Sequence, residues 1–294
     1  MPFAAFNIIN HANENYMLLS VLIPNYNGKE LLKKNIPSIQ AALEYAGVSH
    51  EIIIVDDCSK DDSIIFLQQN YPDIKVVKND VNLGFSKTCN NGISHCKGKY
   101  LLLLNSDIEL TPTYIQICLS HFTNDSIFSI TGIAKDDSTH PQNTGILYRK
   151  GLFTIKKYPN HINNETHFIS GANSIYDTAK LNELSGFNPI YSPYYFEDDD
   201  LSYRASQKGW KSYFIREAIS YHQGSVSIKS SASKKKIKQI YFRNKMIFNH
   251  LHSNTSYKLY NIKTLLFNVI PKIIVGQFWI WKSYNDYLLL TKKR

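Results

Sequence analysis

The stretch EIIIVDDCS, residues 51–59, drives four successive apolar side chains, Ile52 to Val55, into two aspartates. A short unbroken apolar run that stops at turn residues reads as a strand covered on both faces. The same form stands on either side of it. Leu18 to Ile23 stops at Pro24, IKVVKN (74–79) is a third such segment, and Tyr100 to Leu104 ends in Asn105-Ser106-Asp107. Between them lie helical patterns. Residues 29–46 place Leu31, Leu32, Ile36, Ile39 and Leu43 at helix spacing, Ser59 to Gln69 follows with Ser59 or Asp61 as cap, and GFSKTCNNGISHC (84–96) makes a third helix. Strand and helix alternate four times in about 90 residues, the pattern of a doubly wound, mostly parallel sheet with right-handed crossovers.

Each of three strands ends in polar residues: Pro24-Asn25-Tyr26-Asn27, Asp56-Asp57 and Asn105-Ser106-Asp107. Asp and Asn cap turns in every protein, but ligands of open α/β sheets bind beyond the carboxyl ends of the strands. Three such tips on one rim predict one shared site. The carboxylate of Asp107 suits a hard divalent cation that bridges phosphates. Asp57 can accept from a nucleobase N–H, and Tyr26 can stack on the same base. No GxGxxG and no GxxxxGK[ST] occurs, which argues against dehydrogenase and P-loop chemistry.

Further along, SIFSITGIA (126–134) reads as a strand, and 139–151 and 157–168 as loops around short strands, with His140, His161 and His167 in solvent. A short helix is expected over 178–184, and WKSYFIREAISYHQGS (210–225) gives one or two strands ending at His222. Between these lies YYFEDDDLSYRASQKGW (194–210), four acids behind three aromatic residues. Acids at a helix start gain about 0.3–1 kcal/mol each from the helix dipole, which accounts for one or two of them. A carboxylate buried against rings and other carboxylates has a raised pKa and can serve as general base on an alcohol. The rings offer platforms for sugar faces.

A hydrophobic content of 43% in 294 residues is ample for a core, in one large domain with an appendage or in two domains. The formal charge of +9 is uneven: Lys229 to Arg294 holds 14 Lys and Arg against one acid, Asp286, so the tail carries +13 and the preceding residues −4. A basic tail suggests an anionic partner. RNA binding would need basic residues interleaved with exposed aromatics across a sheet, so no nucleic-acid partner is expected. Cys58, Cys89, Cys96 and Cys118 form no CxxC pair and read as buried, reduced thiols of a cytoplasmic protein. Residues 1–17 lack the pattern of a signal peptide, and no stretch reaches the roughly 20 nearly uncharged residues of a membrane span. SASKKKIKQIYFRNKMIFNHLH (231–252) is a basic amphipathic helix by spacing. The apolar segment 264–290 is interrupted by Pro271, Lys272 and Gly276; it fits an interfacial helix pair with Trp279 and Trp281 at headgroup level, or a buried helix that closes the domain.

Six segments in order, VLIPNYNG, EIIIVDDCSKDDS, NLGFSKTCNNG, YLLLLNSDIEL, residues 171–210 and ISYHQGS, resemble the family 2 glycosyltransferases of the GT-A fold, and more narrowly their bacterial rhamnosyltransferase-like members. The resemblance implies an N-terminal extension (1–17), a GT-A catalytic domain (18–225) and a basic, apolar helical region (226–294). It implies inverting transfer from an NDP-sugar, UDP- or dTDP-linked, to a hydroxyl of a glycan or lipid-diphosphate-linked acceptor in bacterial surface polysaccharide synthesis. The basic, apolar tail by its own composition suggests attachment to an anionic membrane surface through 229–294, which would place the protein in the cytoplasm, peripheral on the inner face of the cell membrane. By the same resemblance Pro24 and Tyr26 border the base, Asp57 bonds its N3–H and Asp56 lies toward the ribose. Asn82, Gly84 and Asn90 match a motif lining the donor cleft, with Asn105, Ser106, Gly171 and Ala172 beside it. Asp107 closes the family's DxD metal motif, whose first position is Asn105 here, and His222 matches a histidine that completes either the Mn²⁺ or Mg²⁺ site or the diphosphate site. Glu197-Asp198 match the E-D pair with Asp198 as base, and Tyr195, Phe196, Arg204 and Trp210 are expected in the acceptor pocket. The alternatives are a sugar nucleotidyltransferase, whose phosphate loop PNYNGKE does not supply, and a non-catalytic nucleotide- or glycan-binding relative.

Overall fold

The computed structural model describes residues 18–135, 144–149, 152–157, 164–167, 169–222, 233–253 and 255–292. The N-terminal extension, His140, His161 and the first residues of the C-terminal region lie outside them. The elements are β1 (Leu19–Asn25), α1 (Lys29–Ala46), β2 (His50–Asp56), α2 (Ser63–Asn70), β3 (Lys75–Lys78), α3 (Phe85–Ile93), β4 (Tyr100–Leu104), β5 (Ile108–Leu110), α4 (Tyr114–Ser120), β6 (Ile127–Lys135), β7 (Thr144–Arg149), β8 (Leu152–Lys157), β9 (Asn164–Glu165), β10 (Asn173–Asp177), α5 (Thr178–Glu183), α6 (Glu197–Gln207), β11 (Lys211–His222), α7 (Lys234–His252), α8 (Tyr257–Thr264), α9 (Ile270–Ile274) and α10 (Trp279–Thr291).

The main sheet runs β3-β2-β1-β4-β10-β6-β11-β5. Its first four strands are mutually parallel, as the βαβα pattern requires. β10 then enters antiparallel between β4 and β6, and β5 pairs antiparallel with β11. β11 is one strand whose register against β6 shifts between Ile215 and Ile219. The apolar strands are covered on both sides. Leu32, Ile36, Ile39 and Leu43 of α1 pack on one face with α4, while Cys89, Ile93, Leu181, Leu201 and Ala205 of α3, α5 and α6 pack on the other. α1 ends at Gly47, whose φ of 62° lets its N–H reach Leu43 O. α2 begins at Ser63 rather than Ser59, because Asp61 accepts from Ser63 N and Lys29 N and Ser59 Oγ accepts from Asn27 N. Ser59 and Asp61 thus tie the β2 tip to the β1 tip and the start of α1, and Asp61 also takes the first N–H of α2.

A third apolar cluster joins α7, α8 and α10 to Tyr191 and Phe196 of the main body through Met246, Ile247, Phe248, Tyr260, Ile280 and Tyr287. All four cysteines are free thiols; Cys89 and Cys118 are buried, Cys58 and Cys96 only half-buried. His167, expected in solvent, is half-buried. No helix among the described residues is long and apolar enough to cross a membrane.

Candidate active site

The strand tips of β1, β2 and β4 meet the start of α6 around a cleft of about 750 Å³. Of the residues singled out from sequence, Pro24, Tyr26, Asp57, Asn82, Gly84, Asn105, Ser106, Asp107, Gly171, Ala172, Tyr195, Phe196, Glu197, Asp198 and His222 line it. Asp56, Asn90, Arg204 and Trp210 do not, and each has a structural employment instead. Asp56 accepts from Asn25 Nδ2 (2.9 Å) and Ser59 N (2.9 Å), which locks the β1 and β2 tips together. Asn90 clamps the backbone of Phe187, donating to its O (2.7 Å) and accepting from its N (2.8 Å). Arg204 pairs with the buried Asp200 (2.7 Å) and donates to Leu184 O and Gly186 O. Trp210 stacks on Phe128 with ring centroids 5.9 Å apart.

Asp57 sits where β2 ends. Its Oδ1 accepts from Leu83 N (2.7 Å) and Asn79 Nδ2 (2.8 Å), and its Oδ2 accepts from Gly84 N (2.9 Å). A carboxylate offers about four acceptor sites, so three loop contacts leave one for a ligand N–H. Asp57 thus shapes the 79–84 loop as well as facing the cleft.

On the opposite rim the β5–β11 register sets His222 against Ile108, which brings His222 Nε2 to 3.2 Å from Asp107 Oδ2. Among the described residues no group of three or more His, Cys, Asp or Glu surrounds a common point. One carboxylate and one imidazole still fit a Mg²⁺- or Mn²⁺-type ion, because such ions take one or two protein ligands and draw the rest from water and phosphate oxygens.

α6 supplies the acids. Asp198 Oδ2 accepts from Gly171 N at 3.0 Å, while its Oδ1 is buried without a partner. A Cβ on Gly171 would stand 2.6 Å from that oxygen, so only glycine admits this approach. Burial pushes the Asp198 carboxyl up to about 7, against the opposing pull of the Gly171 N–H. Burial, then the charges of Asp198 and Asp200, push Asp199 up to about 7 as well. Glu197 is raised by burial and by Asp198. Asp200 goes the other way: burial would raise it, but His252 and Arg204 outweigh burial and hold it below the ordinary value. One acid is therefore a fixed structural anion, and three are proton-binding groups facing the cleft.

The aromatic wall that precedes α6 is built under backbone strain. Tyr195 and Phe196 have φ of 76° and 73°, in the left-handed region that non-glycine residues rarely occupy. Asn244 of α7 holds the loop, its Nδ2 donating to Tyr191 O (2.6 Å), Tyr194 O (3.0 Å) and Tyr195 O (2.8 Å), and Arg243 donates to Tyr191 O and Ser192 O. The cleft also takes Thr88, Ser170, Pro193, Asp199, Lys236 and Ile240, which sequence reasoning did not assign. Asp199 was legible as part of the acid cluster. Lys236 and Ile240 sit four residues apart on one face of α7, a signal visible only once that helix is known to pack here.

A model of glycosyl transferase family 2 matches residues 20–185, more than half of the chain. The chain belongs to this family. Chondroitin synthase of Escherichia coli is 31% identical over 111 residues, 37% of this chain and 16% of that protein. An undecaprenyl-phosphate 4-deoxy-4-formamido-L-arabinose transferase of Pseudomonas savastanoi is 32% identical over 102 residues, 33% of this chain and 30% of that protein. The matched parts thus span less than a third of either relative. Two solved structures share the fold. TarS 1–349 of Staphylococcus aureus in complex with UDP-GlcNAc aligns with a TM-score of 0.61 at 16% identity, over 93% of this chain and 81% of that one. Mannosyltransferase PcManGT of Pyrobaculum calidifontis in complex with GDP-Man and Mn²⁺ gives 0.60 at 10% identity, over 95% and 76%. The fold of this family 2 member is GT-A.

Proposed function

We propose that the protein transfers a sugar, with inversion, from a nucleoside-diphosphate sugar to a hydroxyl of a glycan or lipid-diphosphate-linked acceptor in bacterial surface polysaccharide synthesis, on the cytoplasmic side of the membrane. The observation that carries this reading is that Asp198 opens into the same cleft as Asp57 and Asp107. In this reading Tyr26 and Pro24 border the base and Asp57 receives its N–H at the acceptor site that loop 79–84 leaves open. Gly171 and Ala172 lie along the donor sugar, and Tyr195 and Phe196 wall the acceptor side.

Asp107 and His222 would hold a divalent ion, which when bound neutralises charge on the departing diphosphate. The chain's own contribution is at Asp198. Its Oδ1 takes the proton of the attacking hydroxyl while Gly171 N–H fixes Oδ2, so the carboxyl cannot rotate away. A carboxyl raised to about 7 by burial is poised for proton transfer near neutral pH. The rings and α7 exclude water that would otherwise compete with the acceptor.

Binding and chemistry can be tested separately. Thermal shift with a panel of nucleoside diphosphates, with and without Mn²⁺, should show metal-dependent stabilisation by one of them. Asp198→Asn should keep that stabilisation and lose turnover by about 10²–10⁴-fold. Wild-type turnover in the variant rejects the assignment of the base.

A further inference from the structure

The helical run from Tyr257 to Ile274 has apolar residues on two opposed faces. Tyr260 and Val269 are buried in the third cluster, and Thr264 is buried on the same run. Leu259, Ile262, Leu266, Ile270 and Ile274 recur at steps of three and four and are exposed. The stripe continues around the turn at Gly276: Phe267, Ile274, Val275 and Phe278 are 74%, 78%, 68% and 70% exposed, and Trp281 is half-exposed. A helix that is apolar all round is ordinarily buried, and a soluble monomer rarely shows so continuous an apolar strip. Lys258, Lys263 and Lys282 stand exposed along it, and Lys272 lies over the ring of Phe242 at 5.1 Å. Among the described residues no carboxylate lies within ion-pair distance of these four lysines.

We infer that residues 257–281 are a docking face for an anionic lipid bilayer, with Phe267, Ile274, Val275 and Phe278 entering the acyl boundary and the lysines meeting lipid phosphates. Apolar side chains rimmed by lysines that have no carboxylate partner among the described residues, in helices not long and apolar enough to span, are what an interfacial element requires. A second copy of the chain fits less well, since the same face laid on itself would bring lysines against lysines. The face adjoins the cleft through α7. Trp279 packs on Phe242 with ring centroids 5.0 Å apart, and the same helix carries Lys236 and Ile240 into the cleft. Bilayer docking deepens the proposed reading, on which the lipid-linked form of the acceptor rests.

The test uses the full chain with vesicles of phosphatidylcholine alone, or with phosphatidylglycerol as a minor fraction. The protein should sediment with the anionic vesicles, at least about tenfold more tightly than with the neutral ones, and raised salt should release it. The variant Phe267→Ser/Ile274→Ser/Phe278→Ser should bind them at least about tenfold more weakly. These side chains stand in solvent, so the variant should keep the wild-type melting temperature and the wild-type response to nucleoside diphosphate, which shows that it is folded. Undiminished vesicle binding by this variant overturns the inference. So does a wild-type dimer in sedimentation velocity that the substitutions dissociate. Absence of any nucleotide response in the wild type rejects the transferase reading instead, and leaves the vesicle result standing alone.

Discussion

Asp199→Asn should make the protein more stable, and only at higher pH. The Asp199 side chain is nine-tenths buried, its Oδ1 has no partner, and its carboxyl is pushed from 3.8 up to about 7 by burial and by Asp198 and Asp200. A carboxyl raised in the folded state binds its proton more tightly there than in the unfolded chain. Its contribution to stability is therefore full below pH 4 and is lost as pH rises through about 7. The loss at pH 8 amounts to roughly 4 kcal/mol at 1.36 kcal/mol per decade of proton affinity. Asparagine removes the charge but leaves a buried amide whose unmet hydrogen bonds cost about 1–3 kcal/mol. The net gain is about 1–3 kcal/mol at pH 8 and near zero or negative at pH 5. At about 2–4 °C per kcal/mol for a chain of this size, the melting temperature should rise by roughly 2–12 °C at pH 8. Circular dichroism melts of both proteins at the two pH values decide it. An equal shift at both, or a loss at pH 8, refutes the account of Asp199 as an uncompensated buried acid.

Gly171→Ala places a methyl 2.6 Å from Asp198 Oδ1 and should cut turnover about 10²-fold in a protein that still folds, read by kcat and by circular dichroism. Asn244→Ala leaves the carbonyls of Tyr191, Tyr194 and Tyr195 without their shared donor; urea unfolding should show a loss of about 1–3 kcal/mol. Asp107→Ala should abolish the Mn²⁺-dependent part of nucleoside-diphosphate stabilisation in thermal shift, and chelator should do the same to the wild type.

The β1–β4 half of the sheet was legible because its strands are covered on both faces, which writes them as unbroken apolar runs such as Ile52 to Val55 and Leu101 to Leu104. Their polar tips were legible for the same reason, as the first hydrophilic residues after each run. The insertion of β10 between β4 and β6 was not, since pairing between segments about 70 residues apart leaves no local pattern. The start of α2 was misplaced because Ser59 and Asp61 are as suited to bridging two loops as to capping a helix. Arg204 and Trp210 were misjudged because helical spacing does not tell a cleft wall from the core behind it, and Asp200 turns Arg204 inward. The C-terminal segment posed buried helix against surface helix as exclusive choices, whereas one run offers Tyr260 and Val269 inward and Phe267 and Ile274 outward.

Two successive left-handed residues, Tyr195 and Phe196, each cost roughly 1–3 kcal/mol in isolation. They persist because a single amide on another helix grips three of the neighbouring carbonyls at once. The contour of that aromatic rim therefore belongs to two distant parts of the chain jointly. Cut away everything from residue 233 onward, and the βαβ portion could still assemble, but the rim would relax toward ordinary backbone angles and the opening beside Asp198 would lose its outline.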